Sequence, residues 1–186
     1  MSTKKEAAKR DNTVKEIQIP EGVAVEIKGN VIETKGALGT NRRTFNDALL
    51  EVHKKENGIV IGTVKDKILA RKAAQAAQAF KAELGNDMSG VSRYFEKKMR
   101  IVFAHFPINV EVKGDRLYIN NIIGERVPRI SKIVGGTKIE AKGQNVRVYG
   151  TSLDDVSQTT ANIRQICRIR DKDSRVFQDG LYYEVE

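Results

Sequence analysis

The chain has 186 residues, 40% of them hydrophobic and 31% charged, and its 33 lysines and arginines outnumber 24 acids for a net charge of +9. That composition supports a real core and favours polyanionic partners, meaning nucleic acid or an acidic membrane face. A lone cysteine, Cys167, excludes a disulfide framework and a thiolate metal cluster, and no run reaches the ~18 apolar residues of a membrane span or the apolar core of a signal peptide, so a soluble cytoplasmic protein is expected.

Residues 1–13 have mixed charge and no apolar periodicity and read as a mobile leader. Val23, Val25 and Ile27 alternate as in a half-buried strand. Lys28-Gly29-Asn30 supplies a hairpin turn, and a returning strand covers about 31–38. Further strands are expected at 43–45 and 49–52, and residues 58–62 read as a buried strand between breakers. A helix is predicted over 66–84: Leu69, Ala73, Ala76, Ala77, Phe80 and Leu84 share one face, and Thr63 with Asp66 resembles a capping box. Gly85-Asn86 is expected to end it. Residues 99–106 form a strong strand in which His105 has a structural role. The second half repeats the order: 110–112 pairs back through Lys113-Gly114-Asp115 to 117–123. Strands follow near 130–134, 138–141 and 146–149, then a helix over 153–169 with Val156, Ile163, Ile166 and Cys167 on its buried side.

The halves also echo each other directly. Val25-Glu26-Ile27-Lys28-Gly29-Asn30 returns eighty-five positions later as Val110-Glu111-Val112-Lys113-Gly114-Asp115, and residues 57–63 return at 145–151. A tandem duplication follows. The expected fold is α+β, with two homologous domains that each pack an antiparallel β-sheet with one α-helix. The boundaries read as a leader over 1–13, a first repeat over 14–106, a second over 107–172 and a C-terminal tail over 173–186.

Arginine separates the halves. Four lie before residue 85 and ten after it, and the guanidinium fork meets phosphate bidentately where lysine acts as a point charge. The nucleic-acid contact is therefore expected in the second repeat. Arg126, Arg129, Lys132, Lys138, Lys142 and Arg147 fall within 22 residues that contain one acid, Glu140. Gly135, Gly136 and Gly143 would let main chain approach RNA closely. A second group comprises Arg164, Arg168, Arg170, Lys172 and Arg175, with Arg164 and Arg168 one helical turn apart. In the tail, Phe177, Tyr182 and Tyr183 have rings suited to stacking on bases, and for Phe177 packing onto the domain is the preferred reading. The Gly36-Ala37-Leu38-Gly39 run only weakly imitates the G-x-x-G clamp of KH modules. No titrating cluster suggests catalysis, and His53, His105 and Cys167 have no metal-ligand spacing, so no catalytic residue, metal or cofactor is assigned.

Residues 165–182, Q-I-C-R-I-R-D-K-D-S-R-V-F-Q-D-G-L-Y, resemble the C-terminal signature of the universal large-subunit ribosomal protein L six family, in its archaeal and eukaryotic branch. The matching positions are Gln165, Ile169, Lys172, Arg175, Phe177, Asp179, Gly180, Leu181 and Tyr182. Residues 98–107 are similar to that family's strand between the repeats, and the duplication is its architecture. Tyr183 and Glu186 depart from the signature, which prefers an aliphatic and a basic residue there. The resemblance implies a structural constituent of the large subunit, bound to 23S-type rRNA through the second repeat near the sarcin–ricin loop. Neighbouring ribosomal proteins and the translational GTPases are then the expected surroundings, with no membrane and no small-molecule substrate. Arg126, Arg129, Lys132, Lys138, Lys142, Arg147, Arg164, Arg168, Arg170, Lys172, Arg175 and Tyr182 are the expected rRNA-binding residues. The rival readings are a free-standing RNA-binding assembly factor and a nucleic-acid-processing enzyme.

Overall fold

A computed structural model describes residues 14–55, 58–63, 69–104, 106–173 and 175–184. The leader, Asp66 of the expected capping box, His105 and Glu186 lie outside the described residues. The chain divides into two compact units, Met1–Met88 and Ser89–Glu186.

In the first unit, β1 (Val14–Gln18), β6 (Gly58–Thr63) and β5 (Leu50–Lys55) form one antiparallel sheet in the order β1-β6-β5. The strands β2 (Ala24–Lys28), β3 (Val31–Gly36) and β4 (Gly39–Thr44) form a second, in chain order. Lys28 pairs with Val31 across a two-residue turn. Gly29 takes φ +61° and Asn30 stays negative, which fits the turn type that puts glycine first. The helix α1 (Ala70–Ser92) covers this core, where Val25, Ile32, Leu50, Ile59, Ile61, Ala77, Phe80, Leu84 and Met88 are buried together. Gly36 and Gly39 face each other across a hairpin rather than linking helices, which removes the KH-like reading.

The helix does not stop at Gly85-Asn86. Met88 and Val91 are buried beyond that point, and the Asp87 carboxylate receives the Arg43 guanidinium, with Nη2 at 3.0 Å from Oδ1. A second Arg43 nitrogen reaches Glu83 at 3.0 Å. Tertiary contacts of this kind outweigh the roughly 1 kcal/mol that an interior glycine costs a helix.

The second unit repeats the plan. The strands β8 (Asn109–Lys113), β9 (Arg116–Asn120) and β10 (Arg129–Lys132) form a three-stranded antiparallel sheet. A four-stranded sheet runs β11 (Lys138–Lys142), β12 (Asn145–Gly150), β7 (Phe95–Val102), β13 (Gly180–Tyr183). The helix α2 (Leu153–Ile166) shares one core with both, built on Met99, Ile101, Leu117, Ile119, Val146, Val148, Ile163 and Leu181.

The strand expected at 99–106 within the first repeat runs instead over 95–102, is hydrogen-bonded to β12 and β13, and belongs to the second unit. It stands to β12 as β1 stands to β6, so each repeat opens with a strand. The tail is likewise part of this unit from Gly180 onward, since β13 extends its sheet. Each expected sheet is in fact two small antiparallel ones. The return strand 117–123 ends at Asn120 and passes into a 3-10 turn, Ile122–Gly124. The helix ends at Ile166 rather than at 169.

Candidate nucleic-acid interface

The helix α2 begins at Ser152, whose hydroxyl accepts the Asp155 N–H at 3.2 Å, and Asp154 and Asp155 place negative charge at its positive end. Val156, Thr159, Thr160 and Ile163 face the core. That orientation turns Arg164 to the side and leaves Arg168 exposed one turn on. At the far end Cys167 caps the helix and is buried, and burial pushes its thiol up, so it remains a neutral filler at the floor of the site. Asp171 takes a left-handed φ of 59° and redirects the chain between Arg170 and Lys172.

The strand β13 then brings the tail back beside the helix. Leu181, opposite Ile101, is fully buried and anchors it. The buried Asp179 carboxylate accepts the Ala104 N–H at 3.0 Å. As a result the Arg164 guanidinium lies 4.4 Å from the Tyr182 ring centroid, and the Lys172 ammonium lies 4.8 Å from that of Phe177. Arg164, Arg168, Arg170, Lys172, Phe177 and Tyr182 line one open cleft of about 1040 Å³. Its cations outnumber Asp171 and Asp179, and Arg168 and Arg170 have no ion-pair partner among the described residues. Such a cleft can take phosphate oxygens on exposed guanidinium groups and a planar group against the rings.

The structure thus gathers five of the expected residues, Arg164, Arg168, Arg170, Lys172 and Tyr182. Arg175 stands apart, exposed and paired to Asp173 at 2.8 Å. The first expected cluster divides: Lys138, Lys142 and Arg147 share one face of β11–β12, and the other three lie elsewhere. Arg126 is exposed in the loop before β10, Lys132 is exposed on β10, and Lys138, Lys142 and Arg147 are exposed on the other sheet. Arg147 pairs with Glu96 at 2.7 Å and lies over the Tyr149 ring, whose hydroxyl donates to Glu140.

Arg129 points inward. Its Nη1 donates to the carbonyls of Ile166 at 2.7 Å and Arg168 at 3.1 Å, and Nε donates to Glu125 at 2.8 Å. Glu125 in turn is held below the usual carboxylate range by that hydrogen bond. Arg129 therefore fixes the end of α2 and is already occupied by the protein. Of the glycines expected to approach RNA, Gly136 and Gly143 border open space, and only Gly135 is filled from within. Gly135 has φ +58°, and the Asp155 carboxylate occupies the space a side chain would need; Gly143 is a hairpin turn residue at φ +59°. Phe177, expected to be packed away, is partly exposed and lines the cleft. Gln165 and Tyr183 line it too. Arg100, exposed on β7 directly opposite Tyr182, is a further cation that sequence inspection passed over; its alternation with buried Met99 and Ile101 was the available signal.

Among the described residues no group of His, Cys, Asp or Glu could hold a metal ion, and no helix is long and apolar enough to cross a membrane. The family model described as Ribosomal protein L6 matches residues 106–180. The protein named Large ribosomal subunit protein uL6 of Methanosarcina mazei is 43% identical over 167 residues, covering 89% of this chain and 93% of that protein. Its namesake in Methanocella arvoryzae is 41% identical over 170 residues, covering 91% and 94%. That of Aeropyrum pernix is 38% identical over 181 residues, covering 96% and 98%.

Proposed function

Because the chain belongs to the ribosomal protein L6 family, we propose that it is a structural constituent of the large ribosomal subunit, cytoplasmic and bound to large-subunit rRNA mainly through its second unit. The observation that carries the rRNA reading is the convergence of Arg164, Arg168, Arg170, Lys172 and Tyr182 on one cleft from two separate elements. The contact is to backbone and shape: exposed guanidinium groups neutralise phosphates and release counterions, and the Arg164–Tyr182 pair offers a face to an unstacked base or ribose. Double-helical RNA presents little readable sequence in its deep groove, so specificity comes from where the cleft meets folded RNA. Arg126, Lys132, Lys138 and Lys142, exposed elsewhere on this unit, are further phosphate contacts outside the cleft. The site on the subunit is the factor-binding region near the sarcin–ricin loop, with ribosomal proteins as neighbours and translational GTPases close by. The chain holds RNA in position and carries out no reaction.

The test uses the full chain and transcribed large-subunit rRNA. Arg168→Glu with Arg170→Glu should weaken binding on the order of 100-fold, two charge-assisted hydrogen bonds at about 1.5 kcal/mol each. Arg71→Glu with Lys72→Glu, both exposed on α1, is the matched reversal and should change affinity by no more than about threefold, within the ~1 kcal/mol of ordinary surface charges. Arg42 and Arg43 are unsuitable for that comparison, because Arg43 is tied to Asp87 and Glu83. Equal losses would overturn the assignment to the second unit. A free-standing assembly factor would be recognised by its release from subunits in a salt wash that leaves a constituent bound.

A further inference from the structure

The duplication supplies its own control, because both units contain the same three-stranded hairpin sheet with different outer faces. In the first unit the row nearest the turn is Lys28, Val31 and Thr44, aligned across β2, β3 and β4. The next row is Glu26, Glu33 and Arg42. Charges on this face neutralise one another: Lys28 meets Glu33 at 3.1 Å, Lys35 meets Glu26 at 2.9 Å, and Arg42 meets Glu33 at 2.6 Å.

In the second unit the row nearest the turn is Lys113, Arg116 and Lys132, aligned directly across β8, β9 and β10. All three are exposed, and they point away from the core because Leu117, Ile119 and Ser131 on alternate positions are buried. Only Lys113 has an acidic partner, Glu111 at 2.7 Å. Arg116 and Lys132 have none among the described residues. Like charges directly opposite across strands are destabilising. The fold does not require this row, since Val31 and Thr44 occupy the corresponding places in the first unit. With strands about 4.8 Å apart, the three cations form a line of roughly 10 Å. Beside it lie Tyr118, whose ring centroid is 5.4 Å from the Lys113 ammonium, and the half-exposed Ile130.

We propose that Lys113, Arg116 and Lys132 form a second rRNA contact of this unit, with a phosphodiester backbone running across the outer face of β8–β10, on a different sheet from the strand that closes the α2 cleft. A closely spaced line of like charge suits a polymer with one negative charge per nucleotide, and Tyr118 gives an adjoining sugar or base an apolar plane. This inference rests on the rRNA-binding reading and deepens it.

The experiment pairs Arg116→Gln with Lys132→Gln, which leaves the Lys113–Glu111 pair intact, in the full chain. Urea unfolding should show the double variant as stable as the parent or more so, because a repulsion is relieved. Affinity for transcribed large-subunit rRNA should fall about tenfold or more, and the slope of log affinity against log salt should become shallower by roughly 1.5, from 0.7–0.9 per lost phosphate contact. A clear loss of stability would make the row structural and overturn the proposal. Unchanged affinity and slope, while Arg168→Glu with Arg170→Glu loses binding, would overturn the row and leave the cleft reading standing. Full binding by both variants would overturn both readings. Intact RNA binding with failure to enter reconstituted subunits would assign the row to an acidic protein neighbour, again overturning the proposal.

Discussion

Arg129 is a cation whose nearest neighbours in sequence misrepresent its role. It stands among exposed basic residues, yet its side chain is only 23% exposed and reaches the last carbonyls of α2 and the Glu125 carboxylate. Arg129→Ala leaves those acceptors without their donor, so urea unfolding should show a loss of about 1–3 kcal/mol. The salt slope of rRNA binding should stay at the parental value, because no phosphate contact is removed. An unchanged stability with a shallower slope would make Arg129 a phosphate ligand instead. The same distinction explains which site residues were legible. Arg164 and Arg168 follow from helical spacing, and Tyr182 from its place in a family signature. Arg126 through Arg147 looked continuous only because a linear count cannot see that β10 and β11 belong to different sheets.

At the scale of elements, hairpins were the clearest signals. Lys-Gly-Asn and Lys-Gly-Asp turns between alternating apolar residues fix both register and length, and the same glycine-first geometry recurs at Gly29, Gly114 and Gly143. One element was hidden and another assigned to the wrong repeat, each for a physical reason. The strand β1 is polar and follows a charged leader, and β7 precedes the stretch where the repeats are alike, so its membership in the second sheet depends on long-range pairing. The continuation of α1 past Gly85-Asn86 is supported by Arg43, which bonds Asp87 from forty-four positions away. The β2–β4 face carries a pH prediction. The Lys28 hydrogen bond holds Glu33 below the usual carboxylate range, and that from Lys35 does the same for Glu26. Their folded pKa values are thus lower than their unfolded ones, so between the two the unfolded chain binds more protons and stability rises with pH. The contribution is complete above about pH 4.3, the ordinary glutamate value, and is lost as pH falls through the lowered values. Unfolding measured from pH 6 down to 2, in approximate half-unit steps, should show a shallower acid loss for Glu33→Gln than for the parent. Identical profiles would mean the ion pairs on this face contribute nothing.

For the whole molecule, duplication produced two copies of one plan with different surfaces. On the β2–β4 sheet the first unit folds its charges back on itself, through Arg43 with Asp87 and through the Glu26–Lys28–Glu33–Lys35–Arg42 network, while Arg71 and Lys72 stay exposed on α1. In the second unit, Arg168, Arg170, Arg116 and Lys132 have no ion-pair partner among the described residues, and most of the arginines lie in this half. The two units therefore differ in where their cations are neutralised: the corresponding hairpin sheet is ion-paired in the first and largely open in the second. Membership in the L6 family accounts for the duplication; the side-chain pairing is the ground on which the second half is proposed to face RNA. The most direct test is protein–RNA crosslinking in intact large subunits, mapped to residues. Crosslinks should concentrate between Arg164 and Lys172, at Tyr182, and at Arg116 and Lys132; a map confined to residues before Ser89 would contradict the account.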